Sequence, residues 1–314
     1  MTANCLVPLD REEALLRHET SALFKGREMN RKPRYPYWFL WPAASIYTAL
    51  FLLPTVASFW FSLTRWDLVS STFVGLENFQ EFFSEPFLVK GLVNTLIYAV
   101  VTSGTKTVLG LLLAAMLTSG IFAQGFLRTV IFFPVLVSTI GVGITFSELM
   151  HPTRGAINVA LAAIGIAGPG WLTNPGLALF SVAMVDVWKG IGLATLIYIA
   201  GIASISPDYY EAARLDGATN RQMFWRVTVP LVRPATITVL TLSLIGGLRS
   251  FDLIWAMTRG GPGFSSDVVA SVIYKQYQAG FYGLSTAGNV ILFLLIAAIM
   301  LPLSLWLGRR EVEA

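Results

Sequence analysis

Six stretches of this chain stay apolar long enough to cross a membrane. They lie near residues 38–64, 92–118, 127–150, 177–204, 235–258 and 284–307, and each supplies the roughly 20 residues that a helix needs to span hydrocarbon. Within a bilayer the backbone has only itself to bond with, so helices are expected throughout. Composition agrees: 55% of the 314 residues are hydrophobic and 13% charged, where soluble domains run near a quarter charged. The first apolar run is too long for the core of a cleaved signal peptide and reads as an uncleaved span. Pro42, Pro54, Pro134 and Pro302 fall inside or beside spans, where neighbouring helices satisfy freed carbonyls. The expected fold class is an all-α integral membrane protein with six transmembrane helices.

The basic residues orient these spans. Seven Lys/Arg precede the first span, four lie in residues 206–234, and Arg309-Arg310 follow the last. The alternate loops hold Arg65 and Lys90, then Arg154, then Arg259 and Lys275. The positive-inside rule therefore puts both termini and the 206–234 loop in the cytoplasm. Residues 1–37 form a polar tail, within which residues 11–24 have helical character. A helix on the membrane surface and a loose tail both fit it. Residues 38–308 are expected to form the membrane domain, with 309–314 as a short cytoplasmic end.

The segment 206–234, SPDYYEAARLDGATNRQMFWRVTVPLVRP, reads as two short helices. Ser206 is an N-cap with Pro207 in the first turn. Gly217 supplies the break, and Thr219 with Gln222 matches a capping box that restarts the helix. Met223, Phe224 and Val227 share one face, and Pro230 and Pro234 close the second helix. The expectation is a helical hairpin outside the bilayer with an apolar face to offer a partner.

Several chemistries have no support. Cys5 is the single cysteine, and His18 and His151 stand far apart, so no metal-ligand spacing occurs. No G-x-x-x-x-G-K-[ST] phosphate loop is present: Gly104-Thr105-Lys106-Thr107 lacks the upstream glycines and sits inside a span. No nucleophile–base pair stands out, and nothing calls for nucleic acid. Residues 66–90 place Phe73, Phe79, Phe82, Phe83 and Phe87 among Asp67, Glu77, Glu81 and Glu85. That pattern fits an amphipathic helix on the outer surface, or one touching a docked soluble protein.

Glu211-Ala212-Ala213, Asp216-Gly217-Ala218, Phe224 and Pro230 resemble the EAA loop of ABC-transporter permeases, whose coupling helix docks on a cytoplasmic ATPase subunit. Gly75-Leu76-Glu77-Asn78-Phe79, Asn94-Thr95, Trp171-Leu172, Phe251-Asp252, Thr258 to Pro262, and Ile273-Tyr274 with Phe281 resemble signatures of the carbohydrate-uptake group. Within it the chain is similar to the first permease of the maltose and glycerol-3-phosphate type, over residues 37–308. It has six spans and lacks the maltose protein's extra N-terminal pair and large outer insertion. The resemblance implies a type I ABC importer permease in a bacterial or archaeal cytoplasmic membrane. Its expected partners are a second, different permease, two ATPase subunits that carry ATP and Mg, an extracytoplasmic binding protein, a sugar and membrane lipid. No cofactor is expected on this chain. The resemblance assigns ATPase coupling to Glu211, Ala212, Ala213, Asp216, Gly217, Ala218 and Phe224.

The substrate path is sought among polar and small residues inside spans. Ser243, Gly246, Gly247 and Ser250 recur at i, i+3, i+4, i+7 on one expected helix face. Physics alone divides evenly between a cavity lining and close helix packing, and the resemblance favours the lining. Arg249 and Asp252 suggest an internal ion pair. Alternatively, Arg249 with Lys106 meets an anionic solute. Asp186 and Lys189 invite the same pair reading, and Trp188 between them either stacks on a sugar or simply packs. The implied function is a permease for a sugar or oligosaccharide working by alternating access. Glycerol-3-phosphate or another anionic derivative is the alternative, and a secondary transporter or channel the rival of a different class.

Overall fold

The computed structural model describes residues 37–308; the expectations for the polar tail and for Arg309-Arg310 lie outside them. Four helices are long and apolar enough to cross a bilayer singly: α1 (Trp38–Ser62), α3 (Pro86–Thr118), α7 (Ala178–Ala203) and α13 (Tyr282–Gly308). Between α1 and α3 lie a hairpin, β1 (Thr64–Trp66) and β2 (Ser71–Phe73), and α2 (Glu77–Ser84). The strands are antiparallel, with Arg65 opposite Thr72.

The third and fifth spans expected from sequence are not single rods. The third is α4 (Gln124–Leu136) and α5 (Thr139–Leu149), bent by 99°. Pro134 sits in the last turn of α4, where it has no N–H to donate to the carbonyl of Val130. Val137 and Ser138 then run extended. A short α6 (Ala156–Ala163) precedes α7. After α7 come α8 (Pro207–Leu215), then α9 (Asn220–Leu231) and α10 (Arg233–Leu248), bent by 67°. The expected fifth span thus stops at Leu248. Its last part is a separate helix, α11 (Asp252–Met257). The adjacent Gly246 and Gly247 weaken the helix just before the break, and Asp252 is favoured at the start of a new one by the helix dipole. α12 (Val269–Gln278) leads to α13.

The chain divides into two units, residues 1–54 and 55–314. In the first, the described part is helix alone, and Trp38, Trp41 and Leu50 are exposed. Thr48–Leu52 form a π turn two residues before Pro54. In the second unit, α3 and α7 lie against each other at the centre. Gly110 permits this: a Cβ there would fall 2.9 Å from the Cβ of Ala194. Gly247 brings α10 equally close, with Ala99 Cα 2.7 Å from the position its Cβ would take. Small residues at such crossings let helices approach where no hydrophobic drive operates.

One end of this unit is tied by polar bonds. Asn78 Nδ2 donates to the carbonyls of Ser62 and Thr64 at 2.8 and 2.9 Å. Asn94 Nδ2 donates to the carbonyls of Ser265 and Asp267 at 3.0 and 2.8 Å, and the Val269 N–H donates to Thr95 Oγ1 at 2.9 Å. Asn94-Thr95 therefore clamps the loop between α11 and α12 onto α3. Beneath it Phe82, Leu88, Val272, Leu284 and Ile291 form an apolar cluster, with Phe79 and Phe87 packed against it. The phenylalanine-rich 66–90 segment thus buries Phe82, while Phe73 and Phe83 remain exposed.

Candidate coupling loop and translocation cavity

At the opposite end of α3, the 206–231 hairpin is built as its residues dictate. Ser206 Oγ accepts from the Asp208 N–H at 3.4 Å, and Pro207 occupies the first turn of α8. Gly217 takes φ +77°, the left-handed region that glycine enters at no steric cost. The Thr219 N–H donates to Gln222 Oε1 at 2.8 Å, and the Gln222 N–H to Thr219 Oγ1 at 3.3 Å, which completes the capping box. Phe224–Thr228 form a π turn two residues before Pro230, the same spacing seen at Pro54. The wider turn moves the carbonyl ladder away from a proline ring that would otherwise collide with it. Pro230 is the penultimate residue of α9, which ends at Leu231 as expected, and Pro234 sits in the first turn of α10.

The apolar face of this hairpin does not point outward. Met223 is buried, and with Phe224, Tyr210, Arg214 and Thr228 it lines a cavity of about 320 Å³ against Ala115, Thr118, Ser119 and Ile202. The Tyr210 and Thr228 hydroxyls bond at 3.0 Å across it. The hairpin thus uses its methionine and phenylalanine to seat itself on the ends of α3 and α7. Its outer surface carries Tyr209, Leu215 and Trp225, all exposed, together with Glu211, Ala212, Asp216 and Gly217. Ala213 and Ala218 are half-buried. Among the described residues no hydrogen bond or ion pair engages the Glu211 or Asp216 carboxylate.

The four small residues of the fifth span separate on inspection. Ser243 and Gly246 line a cavity of about 220 Å³ with Lys106, Val135, Lys189, Gly190, Leu193, Ala194, Ile197, Val239 and Leu242. A Cβ on Gly246 would meet nothing within 4 Å. Gly247 instead packs on Ala99 and Thr102 of α3. Ser250 lies past the end of α10 and does not continue its face. Lining and packing are both real, at different residues.

The expected charge pairs are rearranged. Lys106 Nζ bonds Asp186 Oδ2 at 2.7 Å, joining α3 to α7. Gly190 makes room for it, since a Cβ there would sit 2.8 Å from Lys106 Cε. Asp186 therefore does not pair with Lys189, its neighbour one helical turn along. No Arg249–Asp252 ion pair forms among the described residues, because the helix that would set them one turn apart ends between them. Arg249 is exposed. Trp188 is 43% exposed and lies against Phe146 at 5.1 Å, outside the cavity lining.

A second buried pair carries no sequence signal. The Asp267 carboxylate, 0% exposed, accepts from Lys275 Nζ at 2.6 Å and Ser271 Oγ at 2.7 Å. Gly260, at φ +84°, lies so near this carboxylate that any side chain there would collide with it. The two partners stand eight residues apart, a spacing that says nothing until the loop folds over α12.

Comparison with known proteins places this geometry. The chain is 31% identical over 291 residues to the probable ABC transporter permease protein YurN of Bacillus subtilis, covering 90% of this chain and 99% of that one. It is 32% identical over 269 residues to the trehalose/maltose transport system permease protein MalF of Thermococcus litoralis, covering 85% and 91%. Its fold matches, at TM-score 0.76 and 24% identity, a chain from a bacterial ABC transporter involved in the import of the acidic polysaccharide alginate, over 87% of this chain and 94% of that one. The architecture is that of a type I ABC importer permease. Residues 106–311, from the buried lysine of α3 through the last span, match one family along their whole length. This chain belongs to the family of inner membrane components of binding-protein-dependent transport systems.

Proposed function

We propose that this permease is one of two different permeases in an importer for a sugar or oligosaccharide, completed by two ATPase subunits and an extracytoplasmic binding protein. ATP and Mg are held by the ATPase subunits. Both termini and the 206–231 hairpin face the cytoplasm, in keeping with the basic residues around them. The sugar class is supported by the trehalose/maltose transport role of the Thermococcus litoralis relative.

The observation that carries the reading is the outer surface of the hairpin. It presents exposed Tyr209, Leu215 and Trp225 beside two carboxylates, Glu211 and Asp216, that no hydrogen bond or ion pair engages among the described residues. Aromatic anchors are enriched at interface centres, with polar and charged groups toward the rim. The buried side of the hairpin rests on α3 and α7, the helices that line the 220 Å³ cavity. A push on the hairpin is thereby transmitted to the cavity walls as rigid-body motion, with the cavity opening to each side of the membrane in turn. Glu211 and Asp216 anchor the ATPase subunit and Gly217 fixes the angle between the two short helices.

The test uses the assembled importer in proteoliposomes. Glu211→Lys and Gly217→Pro are expected to abolish ATP-driven uptake, while the permease still inserts and reaches the membrane at its normal level. Full uptake in either variant would refute the coupling role.

A further inference from the structure

The membrane interior of this chain holds one cation more than its carboxylates neutralise at the cavity. Lys106 is bonded to Asp186 at 2.7 Å. Lys189 lines the same cavity and has no hydrogen bond or ion pair among the described residues. A lone lysine at mid-membrane costs roughly 2.5–3.5 kcal/mol on insertion scales. It stands near the middle of α7, well away from the helix ends where its chain would reach the headgroups. Beside the pair, the fully buried Tyr98 hydroxyl lies next to the Asp186 and Ser250 side chains.

These groups form one polar track across α3, α7, α10 and the break after α10. It runs from Ser250 past Tyr98, Asp186 and Lys106 to Lys189 and Ser243. Gly190 accommodates the Lys106 side chain, and Gly246 leaves open space opposite. Neutral sugars ask for paired donors and acceptors on hydroxyls. An unneutralised ammonium in a small, mostly apolar cavity asks for an anion.

We infer that the solute carried by this importer is acidic, a uronate or a sugar phosphate, and that Lys189 is the residue that recognises its charge. The inference rests on the importer reading and narrows it. Lys106 does not serve as the anion contact, because Asp186 already holds it. Ser243 meets a hydroxyl of the same solute.

The deciding experiment measures solute-stimulated ATP hydrolysis by the assembled importer in proteoliposomes. The probes are glucuronate, a glucuronate-containing disaccharide and glucose 6-phosphate, against maltose and trehalose. At least one acidic probe is expected to stimulate and both neutral ones to fail, a comparison that needs no variant. With the active acid, Lys189→Gln should raise the half-saturating concentration by about tenfold or more, and Lys189→Arg should restore most of the loss. Stimulation by maltose or trehalose alone, or an acid response unchanged in Lys189→Gln, overturns the assignment and leaves the importer reading standing. Accumulation of solute without ATP overturns both.

Discussion

The Lys106–Asp186 pair has side chains 10% and 24% exposed, so water does little to screen either charge. Removing one partner strands the other in a medium that cannot solvate it. Asp186→Ala is expected to cost about 3–5 kcal/mol, measured as a loss of thermal stability in detergent. The double variant Lys106→Met/Asp186→Leu should recover most of that loss, since a matched apolar pair carries no desolvation penalty. At the surface the balance differs. Asp67 accepts from the N–H groups of Ser70 and Val69 at 2.6 and 3.0 Å and from the Ser70 hydroxyl at 3.0 Å. The Ser70 N–H, then the Val69 N–H, then that hydroxyl hold its carboxyl below the usual 3.8. Because the folded pKa is depressed, the stabilisation of this turn is complete above the unfolded value and fades as pH falls through the folded one. The Ser70 amide resonance should titrate with a midpoint below 3.8, and Asp67→Asn should abolish that titration.

At the scale of helices, glycines divide into those that a neighbour requires and those that none does. Gly143 of α5 faces Ala256 of α11 so closely that its Cβ would displace it. Gly143→Val is expected to force these helices apart at about 1–3 kcal/mol. Gly104 of α3 meets nothing within 4 Å in this chain, so Gly104→Ala should be neutral or stabilising by up to about 1 kcal/mol. Unfolding of the two variants side by side checks both. The same contrast shows why the broken spans were hard to see in advance. Pro134 and the Gly246-Gly247 pair are visible in the sequence, but a bilayer tolerates prolines and glycines within straight spans. Whether such a residue bends the helix depends on what lies beside it. The capping box and Gly217 turn were legible because they are settled within four residues. The burial of Met223 and Phe224 was not, since it depends on the ends of α3 and α7.

For the molecule as a whole, the prediction concerns sidedness. With Cys5 replaced by serine, a cysteine at Ser70 and one at Asp208 should react with a membrane-impermeant maleimide from opposite sides. In intact cells stripped of any outer barrier, Ser70→Cys should label and Asp208→Cys should not. Labelling of both from outside would overturn the orientation drawn from the basic residues.

Long apolar runs and their flanking charges were enough to specify a multi-pass helical membrane protein. A consecutive motif from Glu211 to Pro230 was enough to indicate which family it resembles. Both signals are local: a span is set by its own hydropathy, and a coupling loop by residues within a few turns of one another. The tertiary structure decided the partners. Only the crossing of α3 and α7 makes Asp186 the mate of Lys106 and leaves Lys189 without an ion pair among the described residues, and only the fold of the loop over α12 buries Asp267 against Lys275. Charge pairing across helices depends on distances between residues far apart in the chain, eighty positions in the case of Lys106 and Asp186, and no periodicity records them.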